Sequence, residues 1–426
     1  MEEILPLVSD HDFTPTKEDR KSHPQSVFMG SDLKSNLVDV CGVLLPKKKS
    51  SNGNTENKKD KIFLVYTETS VKNLRALGLA LSRGNPILLE GVTGSGKSTL
   101  VKELMKITEN YDMISVHLGD QSDSKMLLGT YICTEVPGEF KWQPGALAQA
   151  VSEGKWILIE DIDLAPVEVV SVLLPLLETR KLFIPGRGEE IRASSGFQIF
   201  ATQTLSSRNK NKIPPSLTNL WNKVVVEPLS LKELKIVLNS IYPHLKNHIP
   251  LFIETFQMLT EPNSKPKQSE NLASFSISHL RHLSSRDLLK WVHRIDLFCD
   301  IPTGNTKLNL NLKQKIFQEA FDCFCAMIPK QKLRITVMNA IGKVLELFPN
   351  EIEFFLSSKP CLQITKESFE IGRSTLNISS QSILSLKEKR PFAYTKHSLK
   401  LIERISVSVE LNEPVLLVGE TGTGNF

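Results

Sequence analysis

The sequence predicts an α/β core, a parallel sheet with helices on both faces, followed by an α-helical domain. Three short apolar runs carry the first prediction: Ile87–Glu90, Lys155–Asp163 and Gly196–Thr204. They alternate with segments of helical periodicity, and continuous apolar strands of this kind are typical of parallel sheets buried on both faces. After Pro228, five consecutive segments up to about residue 348 space their apolar residues as helices do. Ligands of such a core are expected at the carboxyl ends of its strands.

Composition and charge are those of a globular protein. The 426 residues are 40% hydrophobic and 23% charged, and this length suggests two or three folding units. No apolar run is long enough to predict a membrane span, and the acidic N-terminus lacks the features of a secretory signal. The six cysteines are scattered and are expected to be reduced. The net charge of +5 does not by itself argue for nucleic-acid binding.

These patterns divide the chain into four segments. Residues 1–60 form an N-terminal segment, 61–228 the α/β core, 229–356 the helical domain, and 357–426 a polar linker with the beginning of a second core. The basic, low-complexity stretch from Pro46 to Lys61 is expected to be a disordered surface loop. As an alternative, its Pro46–Lys49 run would serve as a nuclear import signal.

A glycine-rich loop follows the first strand of the core. It has the spacing G-x-x-x-x-G-K-S, which lets backbone N–H groups encircle phosphates at the N-terminus of a helix. Lys97 would reach the β- and γ-phosphates, and the Ser98 hydroxyl would ligate Mg²⁺. The alternative, a plain glycine turn, fits the strand–loop–helix context poorly. The predicted nucleotide-binding residues are Gly91, Val92, Thr93, Gly94, Ser95, Gly96, Lys97, Ser98 and Thr99.

Three acids end the second apolar run: Glu160, Asp161 and Asp163. Carboxylates clustered at the end of a buried strand repel one another and lose hydration unless a cation is present, which favours a metal site. One of these acids is expected to join Ser98 in holding Mg²⁺, with a partner acid to polarise the attacking water. The alternative is a solvated strand end with no chemical role.

The chain contains an ungapped internal repeat. Residues 65–98 align with 393–426 at a constant offset of 328, with Tyr66 on Tyr394 and Gly91 on Gly419. Asn425 and Phe426 stand where the first copy has Lys97 and Ser98. We therefore expect a second core that begins in this chain and is cut short. Its lone strand at Val415–Val418 would be an unpaired apolar edge, and about the last 35 residues are expected to be poorly ordered or sticky.

Longer motifs carry a family resemblance. The segments "ILIEDIDLAPVEVV" and "FQIFATQ", preceded by "GEFKWQPGALAQAVSEGKW", resemble the MoxR-like and dynein-related branch of AAA+ ATPases. The resemblance covers roughly residues 65–300 and restarts at 393. It implies an AAA+ P-loop core with an α-helical lid domain, and ATP or ADP with Mg²⁺ as cofactors. It also implies a polar sensor at Thr204, counted with Glu160 and Asp161 as catalytic, and a nucleotide-contacting lid arginine at Arg286.

The sequence departs from the family pattern at four places. The resemblance implies that Glu160 holds Mg²⁺ with Ser98 and that Asp161 polarises the attacking water, but the family usually has Asp and then Glu at these positions. Asp163 takes the place of the usual Asn of the same motif, and Thr204 replaces the usual Asn of the sensor. Only Lys223 is basic where the family offers arginines to a neighbouring module, and a lysine cannot reproduce the bidentate arginine fork. The resemblance therefore implies intact nucleotide binding and weakened hydrolysis.

Tandem modules narrow the resemblance to the giant dynein-related ATPases of large-ribosomal-subunit assembly. It implies release of assembly factors from pre-60S ribosomal particles, and neighbouring AAA+ modules as further partners. The implied location is the nucleus (nucleolus and nucleoplasm), or the cytoplasm if the chain lacks import signals. The alternatives are a nucleotide-holding adaptor module without turnover and a MoxR-type chaperone, which the repeat disfavours. Membrane binding is not expected, because no apolar run is long enough for a membrane span. Sequence-specific nucleic-acid binding is not expected either, because no interleaved basic and aromatic residues accompany the site.

Overall fold

A computed structural model describes residues 37–48, 64–136, 138–205, 214–260, 283–299, 301, 308–365, 367–378 and 393–419. The chain divides into two compact units, the first ending at Ile241 and the second beginning at Tyr242. No helix in these ranges is long and apolar enough to cross a membrane. All six cysteines fall within them, and none forms a disulfide.

The first unit contains the predicted α/β core. Its strands are β1 (Leu37–Val40), β2 (Val43–Pro46), β3 (Ile87–Gly91), β4 (Ile114–His117), β5 (Gly129–Cys133), β6 (Phe140–Pro144), β7 (Trp156–Glu160), β8 (Lys181–Ile184), β9 (Glu189–Arg192), β10 (Gln198–Thr204) and β11 (Asn222–Val225). Its helices are α1 (Glu68–Ser82), α2 (Lys97–Ile107), α3 (Ser124–Leu128), α4 (Ala146–Glu153), α5 (Val167–Ser171), α6 (Leu174–Thr179), α7 (Pro215–Thr218) and α8 (Leu231–Ile241).

Five parallel strands form the central sheet in the order β11-β3-β10-β7-β4. The three apolar runs supply β3, β7 and β10, which confirms the predicted parallel sheet. Alternate residues of β7 enter two different cores, since Ile157 and Ile159 join one and Trp156 and Leu158 the other. Both faces of the sheet are therefore covered, and the carboxyl ends of its strands form the edge where a ligand would bind.

The second unit is mainly helical. Its elements are α9 (Ile249–Thr260), α10 (Ser285–Phe298), α11 (Leu310–Ala320), α12 (Gln331–Val344), α13 (Pro349–Ser357), β12 (Leu362–Ile364), β13 (Ser368–Ile371), β14 (Ser374–Asn377) and α14 (Lys396–Glu410). A π-helical turn, Phe321–Cys325, extends α11. Helices α8 to α12 correspond to the five helical segments predicted after Pro228. The predicted boundary after residue 228 and the boundary between the compact units differ by the single helix α8.

The stretch 357–390, interpreted from its sequence as a polar linker, contains regular structure in its described part. Strands β12, β13 and β14 form a small antiparallel sheet there. The turn between β13 and β14 uses Gly372 with φ +56°, a left-handed conformation in which glycine carries no steric penalty. Short strands with mixed polar and apolar residues give no clear two-residue period, which is why the sequence pattern did not indicate them.

The expectation for the C-terminal region is corrected in two ways. Residues 396–410 form α14, in which Leu399 is 2% and Val407 0% exposed, so this part is ordered and packed. Val415–Val418 does not form the predicted strand, and Leu416 is 87% and Val418 82% exposed. In the first copy the equivalent strand β3 lies between β10 and β11, and a strand without such neighbours leaves its backbone groups unpaired. Residues 420–426, which include the altered loop residues Asn425 and Phe426, lie outside the described ranges.

The predicted basic loop begins with paired lysines. Pro46 ends β2, and the next two residues, Lys47 and Lys48, lie 2.7 and 2.6 Å from carboxylate oxygens of Glu109 and Asp112. The rest of the loop, residues 49–61, lies outside the described part of the chain.

Candidate nucleotide-binding site

The glycine-rich loop connects β3 to α2 at the carboxyl edge of the sheet. A Cβ atom added to Gly91 would lie 2.7 Å from the Val226 carbonyl oxygen and 2.8 Å from the Ser95 hydroxyl. Only glycine fits at this point, where the strand turns into the loop. Gly94 and Gly96 have φ values of +81° and +86°, which the spacing of the motif requires from residues without a side chain. Val92 and Thr93 are exposed, and Thr99 is partly exposed in the first turn of α2.

Lys97 is folded back onto this loop. Its side chain is almost buried, and its Nζ donates hydrogen bonds to the carbonyl oxygens of Gly91 and Val92 at 2.9 and 3.0 Å. The ammonium group is thus held inside the loop by backbone acceptors. A negatively charged ligand in the loop would offer this group a stronger, charge-assisted partner.

The Ser98 hydroxyl donates a hydrogen bond to the Glu160 carboxylate. The contact joins the first turn of α2 to the end of β7, across the intervening strand β10. The other carboxylate oxygen of Glu160 lies 3.5 Å from Nε2 of His117, at the end of the neighbouring strand β4. Glu160 is 9% exposed, so the structure presents a hydroxyl and a carboxylate together in a sheltered position.

Asp161 lies immediately after β7 in a left-handed conformation, with φ +57°. Its backbone N–H donates to the hydroxyl of Thr202 at 3.0 Å, and Thr202 is 1% exposed in β10. This contact fixes the kink at which the chain leaves the strand. Thr202 is a site residue that the sequence analysis did not identify, and its only signal was its place two residues before Thr204 in the same strand.

Asp163 and Thr204 come together next to these groups. The backbone N–H of Thr204, the last residue of β10, donates to the Asp163 carboxylate at 3.4 Å. Asp163 is 2% exposed, and burial raises the pKa of its carboxyl group. The nearby Asp161 charge raises it further, whereas the backbone hydrogen bonds and the Lys97 ammonium oppose the shift. Because the charges of Lys97 and Asp161 act on Asp163, this carboxyl group belongs to the same site as the glycine-rich loop and the acidic strand end.

Two further residues named from the resemblance belong to other elements. Lys223 lies on the edge strand β11, and its Nζ is 3.9 Å from Glu90 of β3. It therefore pairs within its own core. Arg286 lies in the first turn of α10, in the second compact unit.

The loop and the acids fit a nucleotide with a divalent cation. Gly91 leaves no room for a side chain where the backbone must approach a ligand closely. The Ser95 hydroxyl is buried in the loop without a hydrogen-bond partner among the described residues. The Ser98 hydroxyl and the Glu160 carboxylate supply the oxygen donors that Mg²⁺ prefers.

Comparisons with known proteins agree with this geometry. A family model of the AAA domain of the dynein-related subfamily matches residues 86–220, and one of the midasin AAA lid domain matches residues 233–347. Midasin of Dictyostelium discoideum is 43% identical over 94% of this chain. The chain belongs to the midasin family. Midasin of Giardia intestinalis is 27% identical over 82% of the chain.

The midasin-family chain spans only a small part of these relatives, 8% of the Dictyostelium protein and 7% of the Giardia protein. Protein NorQ of Paracoccus denitrificans is 33% identical over 29% of this chain and 45% of its own length. The chain is thus an AAA+ ATPase module of midasin type, with an AAA core and an AAA lid.

Proposed function

We propose that the chain binds ATP and ADP with Mg²⁺ at Gly91–Thr99 and serves as a nucleotide-dependent module of a midasin-type remodelling ATPase. The contact between Ser98 and Glu160 is the observation that carries this proposal, because it unites the glycine loop with the acidic strand end across β10. Two separate sequence motifs thereby become one oxygen-donor site.

Each residue has a role in this proposal. Lys97 would exchange the carbonyl oxygens of Gly91 and Val92 for phosphate oxygens of the ligand. Ser98 and Glu160 would hold Mg²⁺, which when bound offsets the negative charge of the phosphates. Asp161 would orient and polarise the attacking water, with Thr204 as a second polar contact. Arg286 would contact nucleotide from the lid.

A second candidate function is nucleotide holding without turnover. Asp161 is one methylene shorter than the usual glutamate, and Lys223 pairs with Glu90 of its own core. The shorter side chain of Asp161 and the pairing of Lys223 both weaken the stabilisation of a hydrolytic transition state. Neither residue belongs to the phosphate-binding loop, so nucleotide binding would be retained. Such a module would have a structural or adaptor-docking role beside active modules.

For the biological role, we propose maturation of the pre-60S large ribosomal subunit, with release of assembly factors from pre-ribosomes. Its support is the family membership together with the start of a second module in the same chain. The proposed location is the nucleus, including the nucleolus and nucleoplasm, and pre-ribosomal particles and neighbouring AAA+ modules are the proposed partners. A MoxR-type chaperone activity is the alternative that the tandem repeat disfavours.

Nucleotide binding and turnover of the purified chain test the proposal. ATP and ADP would be titrated with and without Mg²⁺ into the wild type, Lys97→Ala, Asp161→Asn and the control Lys106→Ala, an exposed change on the same helix. We expect binding that Lys97→Ala abolishes and Lys106→Ala leaves intact. Turnover lost in Asp161→Asn supports the ATPase, and binding without turnover supports the holding module. Equal binding by wild type and Lys97→Ala would contradict both.

A further inference from the structure

A buried network of ion pairs lies within the second unit, away from the nucleotide loop. Arg294 is 4% and Glu319 1% exposed, which is unusual for charged side chains. The ion pairs join four cations, Lys290, Arg294, Arg373 and Arg404, to three carboxylates, Glu319, Asp322 and Glu413. A fourth carboxylate, Glu403, adjoins them and accepts a hydrogen bond from the backbone N–H of Arg373.

The network joins two different parts of the chain. One side is the lid, where α10 supplies Lys290 and Arg294, and α11 with its π-helical turn supplies Glu319 and Asp322. The other side comes from the hairpin β13–β14, helix α14 and the residues just after it, and supplies the remaining four charges: Arg373, Glu403, Arg404 and Glu413.

Asp322 is the centre of the network. Its carboxylate contacts the Arg373 guanidinium, lies 3.1 Å from Nε of Arg404, and lies 3.9 Å from Nη1 of Arg294. Glu319 lies 3.0 Å from Nε of Arg373. Across the interface, Arg294 donates to Glu413, with Nε at 3.1 Å. The two lid carboxylates therefore meet cations of the hairpin and α14, and the two lid cations meet Glu413 just after α14. Within the lid, Arg294 also lies 3.5 Å from Glu319.

The hairpin and helix that meet the lid are a copy of β1, β2 and α1. Helix α14 has the bounds of α1 shifted by 328 residues, and both begin at a threonine cap that accepts a hydrogen bond from the N–H of a serine. Strands β13 and β14 have the bounds of β1 and β2 shifted by 331 residues. Both hairpins close with a two-residue turn and pack on the following helix. The repeat thus begins about 25 residues earlier than the sequence comparison indicated, at Ser368 instead of 393.

The first copy does not carry the charges of the second. In place of Arg373 it has Gly42, in place of Arg404 it has Ala76, and in place of Glu413 it has Asn85. Arg75 stands where the second copy has Glu403, which reverses the charge. A hairpin and helix of the first-copy type would take Arg373 and Arg404 away from Glu319 and Asp322 and leave Arg294 as their nearest cation in the lid. Its arginine at the position of Glu403 would stand where a carboxylate now accepts a hydrogen bond from the Arg373 backbone N–H. Removing one partner of a buried ion pair is far more costly than leaving out the whole pair.

We propose that the lid face formed by Arg294, Glu319 and Asp322 is a docking surface selective for the hairpin–helix unit of the second copy. Charge complementarity stabilises the contact of this lid with the hairpin and helix of the second copy. A hairpin and helix of the first-copy type would leave buried lid charges poorly paired, which destabilises that contact. The proposal concerns the joint between lid and second copy and does not depend on nucleotide binding.

The test installs first-copy residues in the full chain as Arg373→Gly with Arg404→Ala, and then adds Asp322→Asn. Hydrogen exchange of β14 and α14 is measured, with peptides of β3 and β10 as the internal reference. In the double variant we expect exchange in α14 to rise about 10-fold or more, since Asp322 keeps only the distant Arg294. Adding Asp322→Asn removes the carboxylate that has lost both of its arginines from the hairpin and α14, while Glu319 keeps Arg294 at 3.5 Å, so part of the protection is expected to return.

The control is Lys332→Ala, which removes an exposed charge from α12. Unchanged exchange in the double variant would overturn the proposal. It would also fail if Asp322→Asn gave no recovery, because the arginines would then act only through packing of their side-chain stems. Equal loss of protection in α12, which supplies no group to the network, would show general destabilisation instead of a selective joint.

Discussion

At the residue scale, the two consecutive acids are presented in different ways. Glu160 ends β7 with its carboxylate on Ser98, while Asp161 is turned into a left-handed conformation held by Thr202. The side chain proposed to hold the metal is therefore the longer one, and the side chain proposed to face the water is the shorter one. A displacement of about 1 Å at such a position can cost on the order of 100-fold in rate.

We predict that exchanging the two acids raises ATP turnover. The double variant Glu160→Asp with Asp161→Glu restores the order usual in the family, and we expect turnover to increase about 10- to 100-fold with little change in ATP affinity. Steady-state phosphate release, with nucleotide affinity measured separately, checks this. Glu160→Gln with Asp161→Asn provides a control without carboxylates. Lower turnover in the exchanged variant would mean that the order in this chain suits its own geometry.

A second prediction concerns Thr202. Thr202→Val keeps the shape of the side chain but removes the oxygen that holds the Asp161 N–H. The change is made in the wild type, or in the Glu160→Asp with Asp161→Glu variant if only that variant hydrolyses ATP. We expect turnover to fall about 10- to 100-fold while ATP affinity changes little. Thr202→Ser restores the oxygen and is expected to restore turnover. A parallel loss of affinity in Thr202→Val, not rescued by serine, would assign Thr202 to packing alone.

The glycine loop and the acids could be predicted from the sequence because each motif is local. Gly91 to Ser98 are contiguous, and Glu160 to Asp163 end one apolar run. The contact of Thr202 with Asp161 could not be predicted, because it depends on which strand lies beside β7. That β10 occupies this place is a property of the sheet order. The pairing of Lys223 with Glu90 depends in the same way on β11 lying beside β3.

At the scale of elements, the start of α8 is bound to the start of α1 through one carboxylate. Glu233 accepts hydrogen bonds from the backbone N–H and hydroxyl of Thr69 at 2.7 and 3.0 Å, and from those of Ser230 at 2.9 and 2.8 Å. Burial raises the pKa of Glu233, but the bonds from Ser230 and Thr69 outweigh it and hold the pKa below its ordinary value. The group thus stabilises the fold in its ionised form.

We predict that Glu233→Gln weakens the first unit and removes part of its acid sensitivity. Because the folded-state pKa is lowered, the stabilisation is present above the ordinary glutamate pKa of about 4.3 and is lost as the pH falls through the lowered value. At neutral pH we expect a loss of about 1–3 kcal/mol. Below the lowered pKa, variant and wild type should converge. Urea unfolding at several pH values measures this. The control is Glu227→Gln, which breaks only the exposed pair with Lys72.

The hairpin β13–β14 could not be predicted from the pattern of apolar residues or from the internal repeat. The aligned hairpins 37–46 and 368–377 share few identical residues, and the three-residue change of offset hides them from an ungapped comparison. Helix α14 was within reach of the sequence comparison, because α1 and α14 repeat both the apolar spacing and the threonine cap. The hairpin became apparent only when the equal strand bounds and turns could be compared.

At the scale of the whole molecule, the sequence predicted the α/β core and the five following helices, because long periodic segments specify their own element type. It did not predict how residues 396–418 divide into a packed helix and an exposed segment. Helix α14 packs on β13 and β14, and Arg404 within it and Glu413 just after it contact Asp322 and Arg294 of the lid. Residues 415–418, in contrast, have no neighbouring strand in the described part of the chain. Packing partners, more than local propensity, decide this difference.

The exposed segment Val415–Val418 leads to the last prediction. Leu416 and Val418 are the most exposed large apolar side chains among the described residues. A short apolar segment with unpaired backbone groups is a template for pairing with other chains, so we expect the purified chain to self-associate through it. Leu416→Lys with Val418→Lys adds two like charges and is expected to suppress concentration-dependent association without altering the thermal unfolding temperature. Gln331→Lys with Asn339→Lys, which adds the same two charges at exposed positions of α12, is the control for net charge. Light scattering as a function of protein concentration measures the association. If the wild type and the double-lysine variant associate equally, another surface is responsible. The exposed Phe140 and Ile132 on the β5–β6 hairpin are then the first residues to test.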